Sequence, residues 1–194
     1  MGTASRSAFG DVASSFYRIP LALRLALDDI QGRYRRTVLG PLWITLGQAA
    51  TIGGFLTVHA HLFGVEPAEY ALYLSAGFPV WVFISHFMTD MPLAFINARG
   101  TIESFGLPCT LQIWRRTIGY ALIFCHHIAI LVVVMITLRT APTPTMLLAI
   151  PALAIVAAAG AGLGLTLAIL GARYRDLQPA MAVAMALLFI FSPV

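Results

Sequence analysis

Not one lysine occurs among the twelve basic residues, so the formal net charge of +4 rests on arginine alone. A phosphate-gripping loop of the GxxxxGK(S/T) kind needs that lysine, and the glycine-rich GAGLG at 160–164 is therefore not a nucleotide loop. Charge of either sign is scarce. Only 10% of the 194 residues are charged, against about 25% in a soluble domain. Cysteine is scarcer still. Cys109 and Cys125 have no metal-ligand spacing, and Cys125 lies inside an apolar run, which argues against a disulfide framework. The histidines form no HExxH pair. His59 and His61 stand at i, i+2 and His126 and His127 are adjacent, so each pair diverges around a helix and a zinc site is not expected. No GxSxG elbow supports a serine hydrolase.

What the chain has instead is apolar length. It is 59% hydrophobic, with a mean hydropathy of +0.86. A chain this short cannot hide that much apolar surface in a soluble core, so lipid is its expected solvent. The implied fold class is all-α: a polytopic membrane helix bundle. Five spans are predicted, near 41–62, 71–96, 117–138, 146–170 and 177–194. The fifth carries no charge and stops at FSPV without a polar flank. At about 1.5 Å per residue it barely crosses a ~30 Å hydrocarbon core, so the sequence reads as a fragment, incomplete at the C-terminus. The first long apolar run begins only near residue 38, which predicts no cleavable signal peptide.

Arginine placement predicts the orientation. Arg6, Arg18, Arg24, Arg33, Arg35 and Arg36 precede the first span. Arg99, Arg115 and Arg116 lie between the second and third, and Arg173 and Arg175 between the fourth and fifth. Eleven of twelve thus share one side, and only Arg139 falls on the other. Arginine accumulates in cytoplasmic loops, which puts the N-terminus inside.

Three segments follow. Residues 1–19 read as a flexible tail. Residues 20–37 read as an interfacial amphipathic helix, and 38–194 as the membrane domain. In the helix, Leu23, Leu27, Ile30 and Tyr34 share one face, while Arg24, Asp28, Gln31 and Arg35 share another. Asp29 and Arg33 are spaced i, i+4 with the acid first. Pro20 suits a first helical turn, and Gly40-Pro41 breaks the direction before the first span. On these features alone a passive anchor is as good a reading as any other.

His86 and Asp90 stand at i, i+4 inside the second span. An ionisable pair there is a functional candidate by default, and a packing lock, with Asp90 held by His86 or Arg99, is the plainer alternative. Gly160, Gly164 and Ala168 recur every fourth residue, the spacing that lets helices approach. Aromatics such as Trp43, Trp81 and Phe87 are candidates to line a route for sugar rings.

An ordered series of segments carries a family resemblance. LGPLWITLGQ (39–48), HLFGV (61–65), GFPVWVFIS (77–85), FINARGTIESFGLP (95–108), FCHHIAI (124–130), GARYRDLQPAM (171–181) and LLFIFSPV (187–194) occur in that order. The chain resembles the permeases of type 2 ABC transporters that export O-antigen, capsule or teichoic-acid chains. The resemblance implies a multi-pass protein of the bacterial inner membrane with no active site and no cofactor of its own. ATP and Mg would sit on a separate ATPase chain. A second copy of the permease would complete a channel for a polyprenol-linked glycan, and no nucleic acid is involved. It further implies that 20–37 is a gate helix beside the ATPase, with Arg33, Tyr34, Arg35 and Arg36 near the lipid pyrophosphate. The loop near 97–108, through Asn97, Arg99, Thr101 and Glu103, would couple to the ATPase. An exporter of drugs or other lipids is the alternative within transport. An intramembrane enzyme using the histidines is the alternative from another class.

Overall fold

The computed structural model describes residues 8–192. Every regular element among them is helical. Two short helices, α1 (Ala8–Phe16) and α2 (Ile19–Arg33), precede α3 (Leu42–Phe63). Next, α4 (Pro67–Asp90) passes through a 3-10 step at Met91–Leu93 into α5 (Ala94–Phe105). The chain continues as α6 (Leu111–Leu138), a 3-10 turn at Pro144–Leu148, α7 (Ala149–Arg173) and α8 (Leu177–Phe191). The step has a local cause: Pro92 has no amide hydrogen to give the carbonyl four residues back. Gly106 ends α5 in the left-handed conformation, φ 58°, which a side chain would resist.

Three helical stretches are long and apolar enough to cross a membrane: Pro67–Phe105, Leu111–Leu138 and Pro144–Arg173. The five expected spans reduce to these. The helix α3 has the length, 22 residues, but Gln48, His59 and His61 and its glycines dilute its apolar character. The helix α8 has the apolar character but only 15 residues. That gives it about 22 Å against a ~30 Å core. The expected loop at 97–108 is helical as far as Phe105, because the second apolar stretch runs on through α5.

Two clusters hold the bundle. Phe83, Phe87, Met91, Tyr120 and Phe124 meet Ala161 and Ala168 where α4, α6 and α7 converge. Ile52, Leu74, Phe78 and Ile130 join α3, α4 and α6, and Phe189 of α8 packs on them. The close approach of α7 depends on missing side chains. A Cβ at Gly160 would lie 2.9 Å from the Phe87 ring, and one at Gly164 would lie 2.9 Å from Met91 Cγ. The stripe of small residues therefore serves helix packing. The outer surface stays apolar. In the most apolar stretch of α6 only 11% of the residues are buried by the protein itself.

The N-terminal segment corrects the expectation of a flexible tail over 1–19. Residues 1–7 lie outside the described residues, but Ala8–Phe16 is helix and is tied down. The Asp11 carboxylate accepts the backbone N–H groups of Cys109 (3.1 Å) and Thr110 (2.9 Å), and the Thr110 hydroxyl donates to it at 2.6 Å. Thr110 is the residue before α6. An acid from a distant helix thus satisfies orphan donors at this helix start and complements its dipole. Phe16 packs on Trp114 beside it, ring centres 4.9 Å apart. Partial burial, and then the Asp11 carboxylate, push the Cys109 thiol above its ordinary range. Asp11→Ala is expected to cost about 1–2 kcal/mol, as removal of a good cap does. It should also release α1, seen as faster backbone exchange over 8–16 and faster alkylation of Cys109. Unchanged rates at both places would refute the cap.

Candidate functional site: an arginine-lined cleft

The helix α2 lies along α6 by a face that the sequence pattern did not single out. Leu23 and Leu27 are exposed, as an apolar face turned to a membrane interface requires, and Arg24, Asp28, Gln31 and Arg35 are exposed too. The protein contact is made by Ala22 and Ala26, 0% and 1% exposed. Methyl side chains let the two backbones approach. The same register, i, i+4, i+7 and i+11, carries Asp29 and Arg33 to the inner side.

Asp29 does not pair with Arg33. Arg115 of α6 takes it in a two-pronged ion pair, with Nε donating to Oδ2 at 2.7 Å and Nη2 donating to Oδ1. Opposed partners on two packed helices outcompete a helix neighbour because both Arg115 donors fit one carboxylate. The helix also ends earlier than expected. Arg33 is its last residue, so Tyr34, Arg35 and Arg36 lie in the turn that follows. Arg36 adopts a left-handed φ of 72°. The four residues expected as one group are therefore split, and only Arg33 faces the cleft described next.

Between α2, the α4–α5 step and α6 lies a cleft of about 460 Å³. Arg33, Arg115 and Arg116 line it, together with Asp90, Asn97 and Gln112. Arg116 holds its inner wall. It donates to the carbonyl oxygens of Asp90 (3.1 Å) and Leu93 (3.4 Å), which flank the 3-10 step. Gln112 is 2% exposed, and its Oε1 accepts from Arg115 Nη1 at 3.4 Å. Its Nε2 has no partner.

The expected His86–Asp90 pair forms, with Nδ1 3.3 Å from Oδ2. The Thr89 hydroxyl lies 3.3 Å from Asp90 Oδ1 and shares its one proton between that oxygen and the Ser85 carbonyl at 2.9 Å. The His86 ring lies flat on Tyr120, centres 5.0 Å apart and planes 9° apart. Arg99, the other candidate partner for Asp90, pairs with Glu103 at 2.8 Å instead. Of the four remaining histidines, His127 is 5% exposed and its Nδ1 has no partner, whereas the other three are used locally. His59, His61 and His126 each place Nδ1 against the carbonyl four residues back on their own helix. Among the described residues no three His, Cys, Asp or Glu side chains converge as metal ligands would.

The four expected coupling residues do not share a surface. Asn97 borders the cleft, whereas Arg99 and Glu103 border a second groove with Ala172 and Arg175, at the turn between α7 and α8. Thr101 is half-buried. The aromatic candidates separate as well. Trp43 is 51% exposed, and Trp81 is half-buried against Phe189. Phe87 is 3% exposed and packs edge-on against Phe83 and Tyr120 inside the core, with no face left for a channel. The sequence reading missed Arg115, Arg116 and Gln112 as site residues. Arg115 and Arg116 stood only as boundary charges, and nothing local marks which residues of another helix they meet.

One end of the bundle thus gathers Arg33, Arg99, Arg115, Arg116 and Arg175 around two grooves. Arg139 closes the far end of α6, ~36 Å from Arg115 at 1.5 Å per residue. These features define a helical protein with three helices fit to cross a membrane and a polar, arginine-lined end. Comparison with protein-family models finds no match, and comparison with curated proteins finds none either.

Proposed function

We propose that this chain is the membrane-spanning subunit of an ATP-driven exporter of lipid-linked polysaccharide, with ATP hydrolysed on a separate chain. The observation that carries the reading is the arginine-rich end. There α2, with exposed Leu23 and Leu27, is clamped to α6 across the cleft from α5, whose paired Arg99 and Glu103 remain 78% and 64% exposed. The resemblance of the ordered segments to polysaccharide-export permeases points the same way. In it, the arginine-rich end is cytoplasmic and the membrane is the bacterial inner membrane. The surface of α5 with the Arg175 turn docks the ATPase. A second copy of the chain supplies the other wall of the path.

The test is purification of the tagged chain from its own cells with its ATPase. Adding the cell's lipid-linked glycan is expected to raise ATP hydrolysis several-fold. Glu103→Arg should reduce the recovered ATPase while the chain remains in the membrane. Failure of any ATPase to co-purify, or hydrolysis indifferent to the glycan, would overturn the reading.

A further inference from the structure

We propose that the cleft between α2, α5 and α6 is a binding site for the phosphodiester of a resident membrane phospholipid. This goes beyond export, and it holds whatever the chain transports.

Several of the cleft's donors have bonding capacity to spare. Both carboxylates are engaged: Asp29 by Arg115, and Asp90 by His86 and Thr89. Among the described residues the Arg33 and Asn97 side chains, both in the cleft lining, make no hydrogen bond or ion pair. Gln112, 2% exposed, buries an amide nitrogen with no acceptor. A buried donor without a partner costs about 1–3 kcal/mol, and Gln112 belongs to the cleft wall. Three arginines against two aspartates leave one positive charge. That balance suits a phosphodiester, which carries a single negative charge, better than a pyrophosphate, which carries more. Arginine's planar fork matches phosphate oxygens, and a cleft of about 460 Å³ admits such a headgroup.

The neighbourhood selects a lipid over a soluble phosphate. Leu23 and Leu27 are exposed together on one flank of the same helix that carries Arg33. A helix with that arrangement lies at the headgroup level with its leucines among the upper acyl carbons. A phosphate in the cleft then continues directly into chains alongside α2.

Titration of the purified full chain in detergent with dihexanoyl phosphatidylglycerol tests this, read by thermophoresis. Saturable binding is expected. Arg33→Gln should weaken it about tenfold, the low end for a hydrogen bond to a charged group. Arg35→Gln and Arg36→Gln remove the same charge outside the cleft and should leave binding unchanged. Dihexanoylglycerol, which lacks the phosphate, should not bind. Inorganic phosphate at equal concentration should not displace the lipid. Equal weakening by all three variants would reduce the effect to surface charge and overturn the site. Binding of the phosphate-free lipid, displacement by inorganic phosphate, or no saturable binding would overturn it as well.

Discussion

Replacing Gly171 by valine is expected to prevent α7 from docking on the α4–α5 step. A Cβ at this position would lie 2.1 Å from the Pro92 carbonyl oxygen and 2.7 Å from its carbonyl carbon and Cα. Those are backbone atoms of a step that Arg116 also holds, and they have no rotamer to yield. Overpacking that side chains can absorb costs about 1–3 kcal/mol, and a clash with backbone costs more. Gly162 lies on the same helix with nothing within 4 Å of its Cβ position, so Gly162→Val controls for β-branching alone. Gly164→Ala should fall between, because the atoms it meets belong to the flexible Met91 side chain. The measurement is retention of a monodisperse peak after stepwise heating in detergent. Gly171→Val protein that survives to within about 2 °C of wild type, less than one kcal/mol would shift it, would show that the approach of α7 is not structural.

The second large effect is expected at the clamp between α2 and α6. Arg115→Asp places a carboxylate against Asp29 and should cost about 2 kcal/mol of the docking of α2, part of it screened because Asp29 is 49% exposed. The swap Asp29→Arg with Arg115→Asp restores opposite charges and should recover most of that loss, the signature of a direct pair in a double-mutant cycle. Hydrogen exchange over 19–33 reads the docking. High salt should narrow the gap between Arg115→Asp and wild type. If the swap is as loose as the single variant, the ion pair is not what holds α2.

The conditions for these effects were unequally visible in the sequence. Helix starts and stops are local events. Pro20 opens a first turn, Gly40-Pro41 separates α2 from α3, and Gly64 and Gly106 end helices in left-handed turns. The i, i+4 spacing of His86 and Asp90 and the small-residue stripe on α7 were legible for the same reason: helical geometry alone puts those residues side by side. The turn after α2 was not placed, because Tyr34-Arg35-Arg36 continues the charge pattern of the helix. The number of spans was overestimated where hydrophobic content was read without its interruptions, in α3, or without enough length, in α8.

Composition and charge placement determined that the protein is helical, that it carries helices long and apolar enough to cross a membrane and that its arginines gather at one end, because each follows from summed transfer energies and local periodicity. Only the tertiary structure decided which arginine meets which acid. Asp29 chose Arg115, 86 residues away, over Arg33 on its own helix, and Asp11 capped α6 through Thr110, 99 residues later and just before the helix starts. Such pairings depend on which faces of two helices are brought together. Here that was settled by Ala22 and Ala26, small enough to let α2 lie against α6, and by glycines that let α7 press on Phe87 and Pro92. The cleft is the space those contacts leave over, and so it has no signature in any single stretch of the chain.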